Sequence, residues 1–532
     1  MNSRPGIIAI LFFCAVAQAQ DIGLTTLRAV TTNLAGSGVT VAQPEADYNL
    51  GTNWEVNPGA VGQPSSLFTY ISAAGSTTNF PNSISSESAH ADGVGQICYG
   101  VPNGVATNVA HVDNFDADFF YMNYVANASL PAIGDPIVNQ SFTFGNVTNA
   151  SQTNGAGSMP VSEQQELDSE YDDYAAQNKT LFISAVNNQD SVSPPGTSYN
   201  GIGVAAYGGA SSIGPTLDNG RCKPDITAPA EETSGAAPVV SGAAAVLMQA
   251  ALRGDGGSDT NSAFNLRTIK ALLLNGAVKP ANWTNSTASP LDARYGAGVV
   301  NIFNACEQLA GGKHGYIVST TVAIGDAHPP TGASGSIAVL SGWDFNTNTS
   351  SSVDDAINHY YFNVTNSLPG GMFTATATLV WNRQQNQSDI NNLNLFLYNC
   401  ASSNLVMCST SLVDNVEHIH VPQLAQGRYD LQVWKAGGVS IVDTNFVSAA
   451  EPYALAWGFF SDTLNASRVG ANAALAWPLY PAGFLVEAQT NLLAGAWSTN
   501  NLPGSIITNG QNYLLLNATN ATQFFRLRYP NL

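Results

Sequence analysis

Two hydrophobic patterns divide this chain. From about residue 21 to residue 312, short apolar runs alternate with longer helix-like segments, an order that builds an α/β domain around a parallel sheet. VTVAQ (Val39–Gln43), PIVNQSF (Pro136–Phe142) and TLFISAV (Thr180–Val186) predict buried strands. Residues 162–178, SEQQELDSEYDDYAAQN, predict an exposed helix before the last of these. LRTIKALLLNGA (266–277) and VVNIFNACEQLAGG (299–312) predict later helices, the second closed by a glycine cap. VVSGAAAVLMQAAL (239–252) is apolar on every side, so it predicts a helix running through a core.

After Gly312 the period changes to two. Phe373, Ala375, Ala377, Leu379 and Trp381 fall on one face of a strand, as do Leu393, Leu395 and Leu397, and Tyr429, Leu431 and Val433. Turn-rich segments separate these runs, so residues 313–460 predict a β-sandwich. Residues 461–532, with FLVEAQTN, Trp497, YLLL and FFRLR, predict a second small β-domain, a candidate for cell-surface, sorting or glycan contact. His418 and His420, in the sandwich, read as surface groups.

Composition narrows the partners. The 532 residues carry 37 acidic against 17 basic side chains, a net charge of −20. Such a surface repels nucleic acid and anionic membranes. At the N-terminus Arg4, an apolar run from Ile7 to Val16, and Ala17-Gln18-Ala19 are the three parts of a secretory signal, with cleavage expected after Ala19. The protein is therefore expected to be secreted, whether extracellular, periplasmic or at the cell surface. No later stretch is expected to span a membrane. Cys14 leaves with the signal, so five cysteines remain for an oxidising compartment. Cys400 and Cys408, bracketing an apparent hairpin, are the best disulfide candidates. The pairing of Cys98, Cys222 and Cys306 stays open, and no metal-ligand spacing connects the cysteines. No cofactor is required by any motif. Acidic loops such as DNFDAD (Asp113–Asp118) could hold calcium, but they match no defined ligand set.

The chemistry concentrates in KPDITAPAEETSGAAPVVSGAAAVLMQ, Lys223–Gln249. Ser234 stands where a loop becomes the apolar helix, beside Gly235, Ala236 and Ala237, which leave room for a substrate backbone. Pro238 suits a first helical turn, and a helix N-terminus favours oxyanion chemistry at the serine. This stretch resembles the serine segment of the subtilases, the subtilisin-like peptidases, whose pattern runs KPD-hydrophobic-x-APG and then GTSMAAPHVAG. Glu232 stands where that family usually has glycine.

The resemblance implies a subtilisin-like parallel sheet flanked by helices, followed by a jelly-roll-like sandwich and the small β-domain. It also implies a carboxylate, histidine and serine in that chain order. SESAHADGVGQICYGVPNGVA (residues 86–106) is similar to the histidine segment and makes His90 the general base. His111, in a strand-like run, is the competitor. Aligning GSGVTVAQPEAD (residues 36–47) with the family's carboxylate strand puts Glu45 in the aspartate's place, with Asp47 as the alternative. LFISAVNNQD (residues 181–190) is similar to the segment that supplies an oxyanion-hole asparagine, which makes Asn188 the donor. RYGAGVVN (residues 294–301) is similar to the family's closing motif. Substrate is expected to lie extended against the region of Ser141 and Phe142 and the segment after His90. The stretch between Gln20 and Val39 is too short for the usual folding prodomain, so the chain is expected to fold without one.

Three readings follow. The first is a secreted serine endopeptidase acting on protein or peptide substrates, with Glu45 replacing the usual aspartate. The second is a catalytically weak or inactive binding protein on the same scaffold, at the cell surface. The third is an acid peptidase similar to the sedolisins, which use a Ser-Glu-Asp set.

Overall fold

Apolar runs covered on both sides assemble into the sheet that carries the candidate residues. The computed structural model describes residues 22–31, 33–46, 53–127, 129–148, 158–317, 319–322, 337, 339–350, 355–365, 371–437, 447–461, 463–490, 496–499, 502–508, 511–517 and 523–528. The expected export signal (residues 1–19) and Asp47 lie outside the described residues. Strands β1 (Thr40–Glu45), β2 (Phe68–Ser72), β3 (Gly75–Thr77), β4 (His111–Asp116), β5 (Ile137–Gln140), β6 (Leu181–Ala185), β7 (Ile202–Tyr207) and β8 (Ile226–Pro229) form an eight-stranded sheet in the order β8-β7-β6-β5-β1-β4-β2-β3. Every neighbouring pair is parallel except β2 and β3. The residues of β5 and β6 are buried throughout, as a parallel sheet covered on both faces requires. Strand β1 has β4 on one side and β5 on the other, so the chain's progress across the sheet reverses there. Open α/β sheets bind ligands outside the carboxyl ends of their strands at such a reversal.

Eight α-helices are described: α1 (Leu24–Val30), α2 (Ala89–Cys98), α3 (Ala117–Phe120), α4 (Val161–Asn178), α5 (Thr233–Arg253), α6 (Thr260–Ala263), α7 (Leu266–Asn275) and α8 (Ile302–Ala310). Helix α5 is the core helix its all-round apolarity predicts. It is also long and apolar enough to cross a membrane, contrary to the expectation of no such stretch, but its apolar window is 83% buried inside the protein. Gly242 is required there, because a Cβ would stand 2.6 Å from that of Val105. Helix α4 is not simply exposed. Leu167, Tyr171, Tyr174 and Ala175 are buried on one side, with Asp168 and Asp172 beside them. Those carboxylates tolerate burial because Arg221 meets Asp168 at 2.8 Å and Arg383 meets Asp172 at 3.0 Å. Helix α8 stops as predicted, with Gly312 at φ +90° just beyond it.

The second half is antiparallel. One five-stranded sheet includes Asp355–Val364, Gly427–Lys435 and Leu393–Asn399, and a four-stranded sheet includes Ser341–Thr349, Ala450–Ser461, Met372–Trp381 and Val416–Ala425. The alternating sets from Phe373, Leu393 and Tyr429 meet in one core between the sheets. The opposite face of Met372–Trp381 is also buried, which period-two reading assigns to solvent. The cause is α7, whose Asn275 Oδ1 accepts hydrogen bonds from Thr376 Oγ1 (2.9 Å) and Thr378 Oγ1 (3.0 Å). The main core likewise runs on into Trp343, Val380, Val416, Ala454 and Ala456 of the sandwich. Leu475, Trp477, Phe484, Val486, Leu514 and Leu516 form a small core in the last β-unit.

Three expectations are corrected here. Cys400 and Cys408 are both free thiols. Cys408 pairs across the hairpin with Phe396, four residues short of Cys400. That offset is about 13 Å at ~3.3 Å per residue, beyond the ~7 Å a bridge can span. His418 is buried, with Nδ1 2.7 Å from Thr378 Oγ1. Burial, with Lys279 and His420 nearby, holds its pKa well below the ordinary value. DNFDAD is not a loop, since it runs along β4 and into α3.

Candidate active site

Four of the candidate side chains stand at or just past the carboxyl end of a parallel strand. Glu45 is the last residue of β1, Ser141 follows β5, Asn188 follows β6, and Ser234 opens α5 after β8. Parallel strands place all these ends on one edge of the sheet.

Helix α5 begins at Thr233, with Glu232 as its N-cap in extended backbone. Ser234 is thus the second helical residue. Its N–H has no acceptor inside the helix and sits in the positive end of the helix dipole. Ala236 and Ala237 turn into the core, so their small size serves packing; Gly235 is the one neighbour that stays partly open. Pro238 lies inside the helix, not in its first turn. Lacking an N–H, it leaves the carbonyl four residues earlier without its helical donor. That carbonyl belongs to Ser234, and the hydroxyl of Ser141 donates to it at 2.9 Å.

Ser141 is therefore committed to the backbone of Ser234 rather than lying free for substrate. Phe142 is buried, packing edge-on against Phe144 with ring centroids 5.9 Å apart. A second tie runs from Ser241 Oγ to Asn139 Oδ1 of β5 (2.8 Å), so β5 and the residue just past it hold α5 at two levels.

Helix α2 presents His90 in its first turn, capped by Ser88, whose hydroxyl accepts from Ala91 N. His90 Nδ1 lies 2.7 Å from Glu45 Oε2, with the Glu45 side chain 1% and the His90 side chain 12% exposed. Glutamate reaches the ring because it is held from behind. Gln43 Nε2 donates to Glu45 Oε1 (2.9 Å) and to Ala91 O (3.0 Å), while Tyr99 OH donates to Gln43 Oε1 (2.5 Å). A carboxylate accepting from Nδ1 fixes the tautomer that leaves Nε2 as the base. Burial disfavours the charged ring, but the charge and hydrogen bond of Glu45, with the charge of Glu232, outweigh it. The pKa of His90 is raised above its ordinary 6.5. Asp92, on the same helix, is pushed up to about 7 by burial and by Glu87 and Glu45.

No hydrogen bond joins Ser234 Oγ to His90 Nε2; the packing of α2 on α5 makes the two segments neighbours. Catalytic hydrogen bonds often tighten only once substrate is bound. Asn188 faces the nucleophile segment. Its Oδ1 accepts from Thr233 N (2.8 Å) and Thr233 Oγ1 (2.7 Å), and its Nδ2 donates to Glu232 Oε2 (3.2 Å). His111 stays apart, on β4, with Nε2 2.8 Å from Thr69 Oγ1 and 3.3 Å from Asp113 Oδ1.

The KPD residues do structural work: Asp225 lies between Lys223 (2.5 Å) and Lys270 (3.0 Å) and accepts Gly203 N (2.7 Å), tying β8 to β7. Burial alone would raise the Asp225 pKa, but the two ammonium groups bring it below the ordinary value. Among the described residues no cluster of three or more His, Cys, Asp or Glu side chains is placed to hold a metal ion.

Gln43 and Tyr99 escape motif reasoning, and Thr233 is matched there without a role. Gln43 could have been found, since it sits two residues before Glu45 on the same strand face. Tyr99 and Thr233 act through contacts that only the fold creates.

The Subtilase family, peptidase S8, matches residues 37–298. Solved structures similar to this chain include the prenylagaramide maturation protease PagA, at 21% identity over 55% of this chain and 99% of that one, TM-score 0.35. MycP1 from Mycobacterium smegmatis is similar at 15% identity over 57% and 87%, TM-score 0.33. The PatG macrocyclase domain is similar at 16% over 56% and 100%, TM-score 0.28. No curated protein matches.

Proposed function

We propose, from the match of residues 37–298 to the Subtilase family, that the protein is a secreted serine endopeptidase working through Ser234, His90 and Glu45. The observation that carries this reading is the buried 2.7 Å contact of Glu45 with His90 Nδ1 at the carboxyl edge of the sheet.

Ser234 Oγ attacks the scissile carbonyl while its proton passes to His90 Nε2. The imidazolium so formed is stabilised by Glu45, which remains ionised. Negative charge gathering on the carbonyl oxygen is met by the Ser234 N–H and an Asn188 Nδ2 hydrogen; one such donor lowers the barrier by about 3 kcal/mol. The tetrahedral centre collapses, the C–N bond breaks, and the departing amine takes the proton from His90. Water then repeats the sequence on the acyl-enzyme, its proton going to His90 and its oxygen to the carbonyl carbon. Ser234 returns with its proton and the acid product leaves. Export rests on the N-terminal charge, apolar run and small-residue site.

A second reading has its own support. Asn188 Nδ2 gives one of its two hydrogens to Glu232, whose negative charge opposes an oxyanion there, and this favours a scaffold that binds peptides with little turnover. Incubating the purified secreted protein with an unstructured protein substrate and mapping new N-termini by mass spectrometry separates the two. The peptidase reading expects internal cleavage that disappears in Ser234→Ala. Cleavage unchanged in that variant, or absent from the wild type, removes it. A rate peaking far into acid would favour the sedolisin-like alternative over one governed by an imidazole.

A further inference from the structure

Beside the nucleophile stands a carboxylate that, among the described residues, no lysine or arginine pairs. Glu232 caps no backbone N–H of its own helix, although it occupies the N-cap position, and its Oε2 instead accepts Asn188 Nδ2 at 3.2 Å. Glu231 next to it is exposed and Glu232 half-buried. Among the described residues neither forms an ion pair. The Glu232 charge is felt as far as His90.

The amide of Asn188 cannot turn away from this carboxylate, because Thr233 holds its oxygen through both N–H and hydroxyl. Nδ2 has two hydrogens, one given to Glu232 and one left for a ligand. The two hydrogens diverge by about 120°, so a carbonyl oxygen bound to the second lies roughly 5 Å from the carboxylate, given hydrogen bonds of ~3 Å on each side. Charge developing on that oxygen meets a like charge. At an effective dielectric of about 20 the repulsion is worth roughly two hundredfold in rate, and about fourfold in full water. A cation supplied by the substrate would cancel it. The chain-wide excess of acid, 37 against 17, also gathers cationic peptides near the surface.

We propose that Glu232 is a specificity-determining residue that selects peptides with a lysine or arginine side chain beside the bond to be cut, the cation neutralising Glu232 as the carbonyl docks on Asn188. This rests on the proposed roles of Ser234 and Asn188.

The test needs no turnover. Fluorescent peptides in matched pairs, differing only in lysine against norleucine at one central position, are titrated onto Ser234→Ala and onto Ser234→Ala/Glu232→Gln. The proposal expects the lysine member of at least one pair to bind five- to tenfold more tightly to Ser234→Ala, the ratio falling towards one without Glu232. Glu231→Gln in the same background should leave most of it. Equal ratios in the presence and absence of Glu232, or no lysine preference in any pair, overturn the proposal. Failure of the catalytic reading is seen separately, as a wild type that a serine-reactive fluorophosphonate does not label; the binding ratio decides about Glu232 in either case.

Discussion

The hydroxyl of Ser141 stands in for the backbone N–H that Pro238 lacks, and this substitution can be tested as a double-mutant cycle. In Ser141→Ala the Ser234 carbonyl, at the buried start of α5, loses its donor at 2.9 Å. An unsatisfied buried acceptor costs about 1–3 kcal/mol. Restoring a donor through Pro238→Ala gives residue 238 an N–H aimed at the same carbonyl, four residues back along the helix. Pro238→Ala alone should change stability by no more than about 1 kcal/mol, since the carbonyl keeps Ser141 and the unfolded chain gains freedom. The double variant should then be more stable than the two single losses added together, with a coupling of about 1–2 kcal/mol. The same cycle should appear in the phosphonylation rate of Ser234, because a misplaced nucleophile costs up to about a hundredfold. Urea unfolding and timed fluorophosphonate labelling of all four proteins measure both. Additive effects within about 0.3 kcal/mol would refute the substitution.

Three further outcomes follow from the site and its surroundings. The raised pKa of His90 puts the acid limb of kcat/KM above pH 6.5, with activity lost as pH falls through it and the ring charges; Glu45→Gln should move that limb down. In folding the sign is opposite, His90 adding stability below its unfolded pKa that fades as pH rises through the folded one. Gln43→Ala frees Glu45 Oε1 and Tyr99 OH, so kcat should fall about tenfold or more with KM little changed, and Gln43→Glu should not rescue it because it brings a second negative charge to Glu45. Alkylation without reduction, followed by peptide mass mapping, should find Cys400 and Cys408 both modified; a Cys400–Cys408 crosslink would contradict the hairpin register.

The sheet, the core helix and the sandwich were legible because each rests on a repeated signal. Val39–Gln43, Pro136–Phe142 and Thr180–Val186 are short, largely apolar runs of strand length, and Phe373, Ala375, Ala377, Leu379 and Trp381 hold period two. Glu45 and His90 were legible as a pair only through motif order, and the structure adds the contact between them. What stayed hidden belongs to the third dimension. Period-two reading sends Thr376 and Thr378 to solvent, because it cannot see that α7 covers them. His418 reads as a surface group for the same reason. Pro238 suggests a helix start, yet the turn before it forms, since the Ser141 hydroxyl just past β5 satisfies the carbonyl it orphans. Ser141, expected against substrate, is drawn inward by that need.

The central claim is that Ser234, His90 and Glu45 act as one catalytic unit. The most direct test is the rate at which a fluorophosphonate phosphonylates Ser234. Wild type should label at a rate that depends on neutral His90, Ser234→Ala should not label, and Glu45→Gln should label slower by about a hundredfold to ten-thousandfold. Equal labelling of wild type and Glu45→Gln, or a label found on another residue, would contradict it.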